Sequence, residues 1–125
     1  MPLRVLIVDD NASFLDAARV LLEREQISVV GVASTTAEAL PLADALRPDI
    51  ALVDIMLAGE SGFELARRLV GPERRGQPAV ILISTHAETD FADLIASSPA
   101  IGFVSKSELS AGPIREIFAG RPRRR

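Results

Sequence analysis

The amino-acid sequence predicts an α/β fold built on a parallel sheet. Three observations carry that reading. Strand-like and helix-like segments alternate from end to end, β then α five times, an order that right-handed crossovers join naturally. The strand-like segments are continuous apolar runs, as suits strands covered on both faces. Polar groups stand at the carboxyl ends of four of them: Asp9 and Asp10 after residues 4–8, Asp54 after 50–53, Ser84 and Thr85 after 80–83, and Lys106 after 102–105. Ligands of open parallel sheets bind outside the carboxyl ends of the strands, so these groups are expected to meet at one edge.

The first strand, residues 4–8, leads into a helix. Ser13 with Asp16 resembles a cap, and Phe14, Ala18, Leu21 and Leu22 trace one apolar face. Residues 27–33 are rich in Val, are interrupted by Gly31 and alternate only loosely, which suits an edge strand. Thr35 and Glu38 form a capping box for a helix through Ala39, Leu42 and Leu46. Pro41 inside it lacks a backbone donor and is expected to strain or shorten the first turns. Arg47 precedes Pro48 and avoids helical angles, which ends the helix. The third strand closes on Asp54 and a loop covers 55–62. Ser61 caps the next helix, with Phe63, Ala66, Leu69 and Val70 facing inward and Gly71-Pro72 ending it. A polar loop at 73–78 leads to the fourth strand. Helical character is weaker between Glu88 and Ser98, where Phe91, Leu94 and Ile95 give one apolar stripe. After the fifth strand, the last helix is expected over 108–119 with Leu109, Ile114, Ile117 and Phe118, its first turn broken by Gly112-Pro113. No repeat, linker or second domain interrupts residues 1–119, which read as one domain. Residues 120–125 read as a basic tail or the start of a linker.

At 125 residues the chain has the commonest domain size, and 48% apolar residues give it a substantial core. Five Phe and no Trp or Tyr make that core aliphatic. Cysteine is absent, which excludes disulfides and thiolate metal sites and fits a reducing compartment. No apolar stretch reaches the ~18 residues of a membrane span. The N-terminus opens directly into a strand pattern with no signal peptide, so the expected location is the cytoplasm. Net charge is −3, but the four arginines after residue 120 hide an acidic body of 10 basic and 17 acidic residues. Such a body is a poor nucleic-acid binder by itself.

The chemistry of the four strand ends is specific in combination. Neighbours in a regular strand point to opposite faces, yet at a strand-to-loop junction Asp9 and Asp10 can both turn toward a common cavity. Carboxylates converging unpaired repel, which raises a pKa or demands a cation. Mg²⁺, or Mn²⁺ in its place, takes hard oxygen ligands and keeps part of its water, and Asp9, Asp10 and Asp54 match that ligand type. Lys106 offers a point charge for a phosphoryl oxygen. Ser84, or alternatively Thr85, offers a hydroxyl. Asp54 can act as an anionic nucleophile, since carboxylates form aspartyl-phosphate intermediates. Any one of these residues alone is a common turn, cap or surface group. Together they describe a divalent-cation and phosphoryl site.

The segments VLIVDDN at 5–11, DIALVDIMLAGESGFELARRL at 49–69, VILIST at 80–85 and GFVSKSEL at 102–109 resemble the receiver domains of two-component response regulators. The resemblance covers essentially all of residues 3–119. It implies a flavodoxin-like (βα)5 three-layer sandwich with a doubly wound sheet in the order 2-1-3-4-5. It assigns Asp54 as phosphoacceptor, Asp9, Asp10 and Asp54 to the metal together with the backbone carbonyl of Met56, Ser84 as the switch hydroxyl and Lys106 as the phosphoryl partner. Phe103 matches the aromatic whose rotamer follows phosphorylation, and Gly62 the glycine that opens the helix after the phosphorylation loop. The implied activity is that of a signalling switch, not a turnover enzyme. A sensor histidine kinase or histidine phosphotransfer protein donates the phosphoryl group, and slow autodephosphorylation resets it. The implied readers are a downstream protein or an output domain, with a phosphorylation-dependent homodimer as a further option. The chain departs from the family pattern at Ser107, where Pro is usual and where a trans bond is expected here. It also departs over residues 57–61, and at Phe103, which lacks a tyrosine hydroxyl.

The positions that tune dephosphorylation in the family are Met56 and His86. Met56 cannot orient water, and His86 is either an exposed loop residue or a rim group. Three rival readings differ by single features. A receiver-shaped binding module would work without phosphorylation. A haloacid-dehalogenase-type phosphatase needs a second Asp where Met56 stands. A dinucleotide-binding domain needs a glycine fingerprint after the first strand, and none is there.

Overall fold

A computed structural model of the chain describes residues 2–71 and 77–120. Five strands, β1 (Arg4–Val8), β2 (Ser28–Ala33), β3 (Ile50–Asp54), β4 (Ala79–Ser84) and β5 (Gly102–Ser105), alternate with five helices, α1 (Ala12–Arg24), α2 (Thr36–Leu46), α3 (Gly62–Leu69), α4 (Ala92–Ser97) and α5 (Ala111–Ala119). The strands form one parallel sheet in the order β2-β1-β3-β4-β5. The chain reverses direction across the sheet between β1 and β3, and this is the switch point where a doubly wound sheet opens a crevice.

The sheet divides the core in two. Successive side chains of a strand point to opposite faces. Val5 and Ile7 therefore join Leu15, Ala18 and Leu22 of α1 and Ile114 of α5 on one side. Leu6 and Val8 join Ala39 and Ala43 of α2 and Leu65, Ala66 and Leu69 of α3 on the other. Both faces being covered, β3 and β4 are buried along their whole length. Each large aliphatic side chain buried this way contributes about 1.5–3 kcal/mol.

Several local expectations are corrected. The cap of α1 is Asn11, whose side chain accepts from the Phe14 N–H at 3.1 Å, and not Ser13 with Asp16. Asn ranks among the best N-cap residues because its short carbonyl reaches the first free amides. The buried stripe of α1 uses Leu15 in place of Leu21, which is exposed. Thr35 caps α2 as expected, but Glu38 turns back to the Ser34 N–H at 2.7 Å. Pro41 neither breaks nor shortens α2, which runs on to Leu46. Arg47 then takes the left-handed conformation (φ 48°) and ends it. In α3, Leu65 is buried and Val70 lies beyond the helix.

Residues 88–98 form a 3-10 turn (Glu88–Phe91) followed by the short α4, and neither buries a residue. Leu94 faces solvent. Leu109 is buried ahead of α5, and Gly112-Pro113 sit inside its first turn without breaking it, since amides there have no helical acceptor. A small antiparallel hairpin, Met56–Leu57 with Glu60–Ser61, fills the loop after β3. The loop expected at 73–78 lies outside the described residues over 72–76, as does the tail beyond Gly120. No helix among the described residues is long and apolar enough to cross a membrane.

Candidate functional site

The carboxyl edge of the sheet gathers the predicted residues. Asp9 follows β1 directly and is fully buried. Its amide donates to the Ala33 carbonyl, and its Oδ1 accepts the Asn11 N–H, both at 2.9 Å. Asp10 is exposed beside it. Asp54 ends β3 with 6% of its surface exposed, and its Oδ1 accepts the Met56 N–H at 3.1 Å. Oxygens from Asp9, Asp10 and Asp54 lie within 4.8 Å of one another.

Lys106 crosses from the end of β5 to neutralise two of these groups. Its Nζ lies 3.0 Å from Asp54 Oδ2 and 2.5 Å from Asp9 Oδ2. The Asp54 contact is a directed hydrogen bond. Asp9 Oδ2 shares the same ammonium at the shorter distance.

Burial first, and the Asp9 charge in addition, push the Asp54 carboxyl above its ordinary value, while Lys106 and the Met56 N–H pull against that rise. Burial works to lower the Lys106 ammonium, but Asp9 and then Asp54 outweigh it and raise the group. The cluster thus carries negative charge that one lysine compensates only in part. Its donors are all hard oxygens, two of the carboxylates share a single ammonium, and the third faces water. That set suits Mg²⁺ or Mn²⁺.

The loop carrying Asp54 is fixed by close backbone packing. Ile55 donates to the Ile83 carbonyl at 3.0 Å, and Gly62 donates to the Ile55 carbonyl at 2.8 Å. A Cβ on Gly62 would overlap the Asp54 carbonyl oxygen and stand 2.8 Å from Ile55 Cα. Ser61 caps α3 through the Phe63 and Glu64 amides. Met56 directs its side chain into solvent.

Ser84 ends β4 almost fully buried, and its Oγ accepts the His86 N–H at 3.0 Å. His86 stands edge-on to Phe91, with ring centroids 5.8 Å apart, and Phe91 in turn packs near Phe63. Thr85 points to solvent. Phe103 is half-buried on β5 and borders an open cavity of about 440 Å³ with Ala87, Glu88, Glu108 and Pro113. The described peptide bonds are all trans, that before Ser107 included, and Ser107 Oγ lies 3.0 Å from Ser105 Oγ.

Two residues at the site carried no functional reading in the sequence. Asn11 links Asp9 to the first turn of α1, and its identity as a strong N-cap residue was the available signal. Phe14 lies with its ring under Lys106 Nζ, 4.6 Å from the centroid. Nothing local in the sequence connects those two positions.

The family model for the response regulator receiver domain matches residues 5–116. The response regulator GacA of Pseudomonas aeruginosa is 32% identical over 124 residues, which cover 94% of this chain and 56% of GacA. The DNA-binding response regulator MtrA of Mycobacterium tuberculosis is 33% identical over 92 residues, 74% of this chain and 38% of MtrA. The chain spans about half or less of the length of the curated relatives it matches. Among solved structures, the signal receiver domain of NarL from Mycobacterium tuberculosis superposes with a TM-score of 0.81 at 30% identity, covering 96% of this chain and 98% of that one. A LuxR-family two-component response regulator from Aurantimonas sp. SI85-9A1 gives a TM-score of 0.83 at 30% identity, with 97% and 88% covered. The family match runs from the first strand into the last helix, and the chain belongs to the response-regulator receiver domains.

Proposed function

We propose that this receiver domain accepts a phosphoryl group on Asp54 from the phosphohistidine of a sensor histidine kinase or a histidine phosphotransfer protein. The observation that carries the reading is the buried Asp54 carboxylate, hydrogen-bonded by Lys106 inside a three-carboxylate cluster. An Asp54 oxygen attacks phosphorus, the P–N bond to the donor imidazole breaks, and its electron pair returns to the ring nitrogen, which is then reprotonated. Asp9, Asp10 and Asp54, with the Met56 carbonyl, would hold Mg²⁺, which when bound offsets the charge of the carboxylates and of the incoming group.

Lys106 transfers its hydrogen bond from Asp54 Oδ2 to a phosphoryl oxygen and keeps Asp9 as its second anion. Ser84 Oγ accepts the His86 N–H and lies 3.5 Å from His86 Nδ1, and its hydroxyl hydrogen turns from that ring to donate to the phosphoryl group. Phe103 fills the space that Ser84 vacates, and the face of α4, β5 and α5 changes shape as one conformer gains population. Hydrolysis of the acyl phosphate resets the switch.

Residues 1–119 form the receiver, and residues 120–125 serve as a tail or the start of a linker. The readout passes to a downstream protein or an output domain, as the DNA-binding relative MtrA illustrates. The acidic body of this domain disfavours direct contact with nucleic acid.

Incubation with acetyl phosphate and Mg²⁺ is expected to add one hydroxylamine-sensitive phosphoryl group by intact mass, and Asp54→Asn is expected to abolish it. Labelling that persists in Asp54→Asn refutes the assignment. Partner binding that is the same with and without the phosphodonor favours a phosphorylation-independent module.

A further inference from the structure

Lys106 must hold its ammonium where two carboxylates compete for it and later release one of them. Its stem reaches out of β5, and 13% of the side chain remains exposed. Two directions around Nζ are taken by Asp9 Oδ2 and Asp54 Oδ2. A third is closed by the Phe14 ring, with Nζ 4.6 Å from its centroid. A cation over an aromatic face is attracted by the negative face of the ring, and that attraction grows as water is excluded.

The placement of Phe14 is tied to the site itself. Asp9 Oδ1 accepts the Asn11 N–H, Asn11 Oδ1 accepts the Phe14 N–H, the Phe14 ring lies under Lys106, and Lys106 returns to Asp9 Oδ2. These contacts close a circuit through the end of β1, the first turn of α1 and the end of β5. Helix formation at α1 therefore sets the ring at the height of the ammonium. Phe14 is also partly buried against the core cluster on the α1 side of the sheet, which restrains the ring.

From this circuit we infer that Phe14 is a positioning residue for phosphoryl transfer, holding the Lys106 ammonium over the acidic cluster through the face of its ring. The inference rests on the proposed role of Lys106 at Asp54. An aliphatic side chain at 14 would still fill the core but would give the ammonium no partner on that side. The ammonium would then sample other positions, and the phosphoryl group would meet it less often in the productive geometry.

The test compares Phe14→Leu and Phe14→Tyr, alone and in a Lys106→Met background. In the unphosphorylated protein, the Lys106 side-chain methylene protons next to Nζ should show a ring-current upfield shift that is lost in Phe14→Leu and kept in Phe14→Tyr. With acetyl phosphate and Mg²⁺, Phe14→Leu is expected to slow phosphorylation about threefold to tenfold, and Phe14→Tyr to restore the wild-type rate. In the Lys106→Met background, Phe14→Leu is expected to have no further effect, whereas a merely structural role would slow both backgrounds alike. Equal slowing in both backgrounds, or a ring-current shift unchanged by Phe14→Leu, overturns the inference. A wild-type protein that takes no phosphate overturns the proposed chemistry instead, and the ring-current comparison still decides the contact.

Discussion

Asp54 sits where folding disfavours its charge. Burial is the chief reason its carboxyl is raised above the ordinary 3.8, and the neighbouring Asp9 charge adds to the rise. A carboxyl raised by folding gives stability that is complete below its unfolded value and is lost as pH climbs through the folded one. Lys106 has the opposite role near neutrality. Its raised value means that its contribution is present below 10.5 and is lost only when pH climbs past the folded value. In metal-free buffer, Asp54→Asn should therefore be more stable than wild type at pH 7.5, with the advantage shrinking toward pH 4. Urea unfolding in EDTA at the two pH values checks this, and a wild type more stable than the variant at pH 7.5 contradicts it. Asp54 and Lys106 were legible in the sequence because each ends an apolar strand run. Phe14 was not, since at the level of sequence an aromatic on a helix face is indistinguishable from ordinary core.

Elements meet at this site with little tolerance, and two glycines show the contrast. Gly62 begins α3 under the Asp54 carbonyl, where an added methyl has no room against backbone. Gly112 lies in the first turn of α5 with nothing within 4 Å of where its Cβ would stand. Replacing a helical glycine by alanine gains up to about 1 kcal/mol from chain entropy and propensity. At position 62, overpacking against fixed backbone costs about 3 kcal/mol and outweighs that gain. Gly112→Ala is thus expected to raise the urea midpoint and Gly62→Ala to lower it. Opposite shifts in the two melts confirm the reading, and equal gains would disprove the close packing at Asp54. The glycine at 62 was visible in the sequence, but its reason lies in the approach of two backbones. The same limit blurred α4: of its expected apolar stripe, Phe91 and Ile95 pack partly buried against the core, while Leu94 faces water. The tie between α1 and α5 was equally silent: Glu25 accepts the Ala111 N–H at 2.6 Å, and Arg115 donates to the Glu25 carbonyl at 2.7 Å.

For the whole molecule, topology explains why groups far apart in sequence become one site. Parallel strands put every carboxyl end on the same edge, and the reversal between β1 and β3 opens that edge beside Asp9, Asp10 and Asp54. The fold was readable because both faces of the sheet are covered, which keeps its central strands apolar throughout. The price of the arrangement is an acidic cluster that only a folded chain assembles. A divalent cation held there binds the native state and not the unfolded one, so it stabilises the protein by mass action, about 2.7 kcal/mol at a hundredfold excess over Kd. Asp10 separates this effect from the rest of the fold, because it is exposed and Asp10→Asn should change the metal-free stability by no more than about 0.5 kcal/mol. Mg²⁺ is expected to raise the urea midpoint of the wild type progressively, and Asp10→Asn to remove most of that response while unfolding normally in EDTA. If both proteins respond equally to Mg²⁺, the three carboxylates do not act as one site, because an ion bound elsewhere would not sense the loss of Asp10.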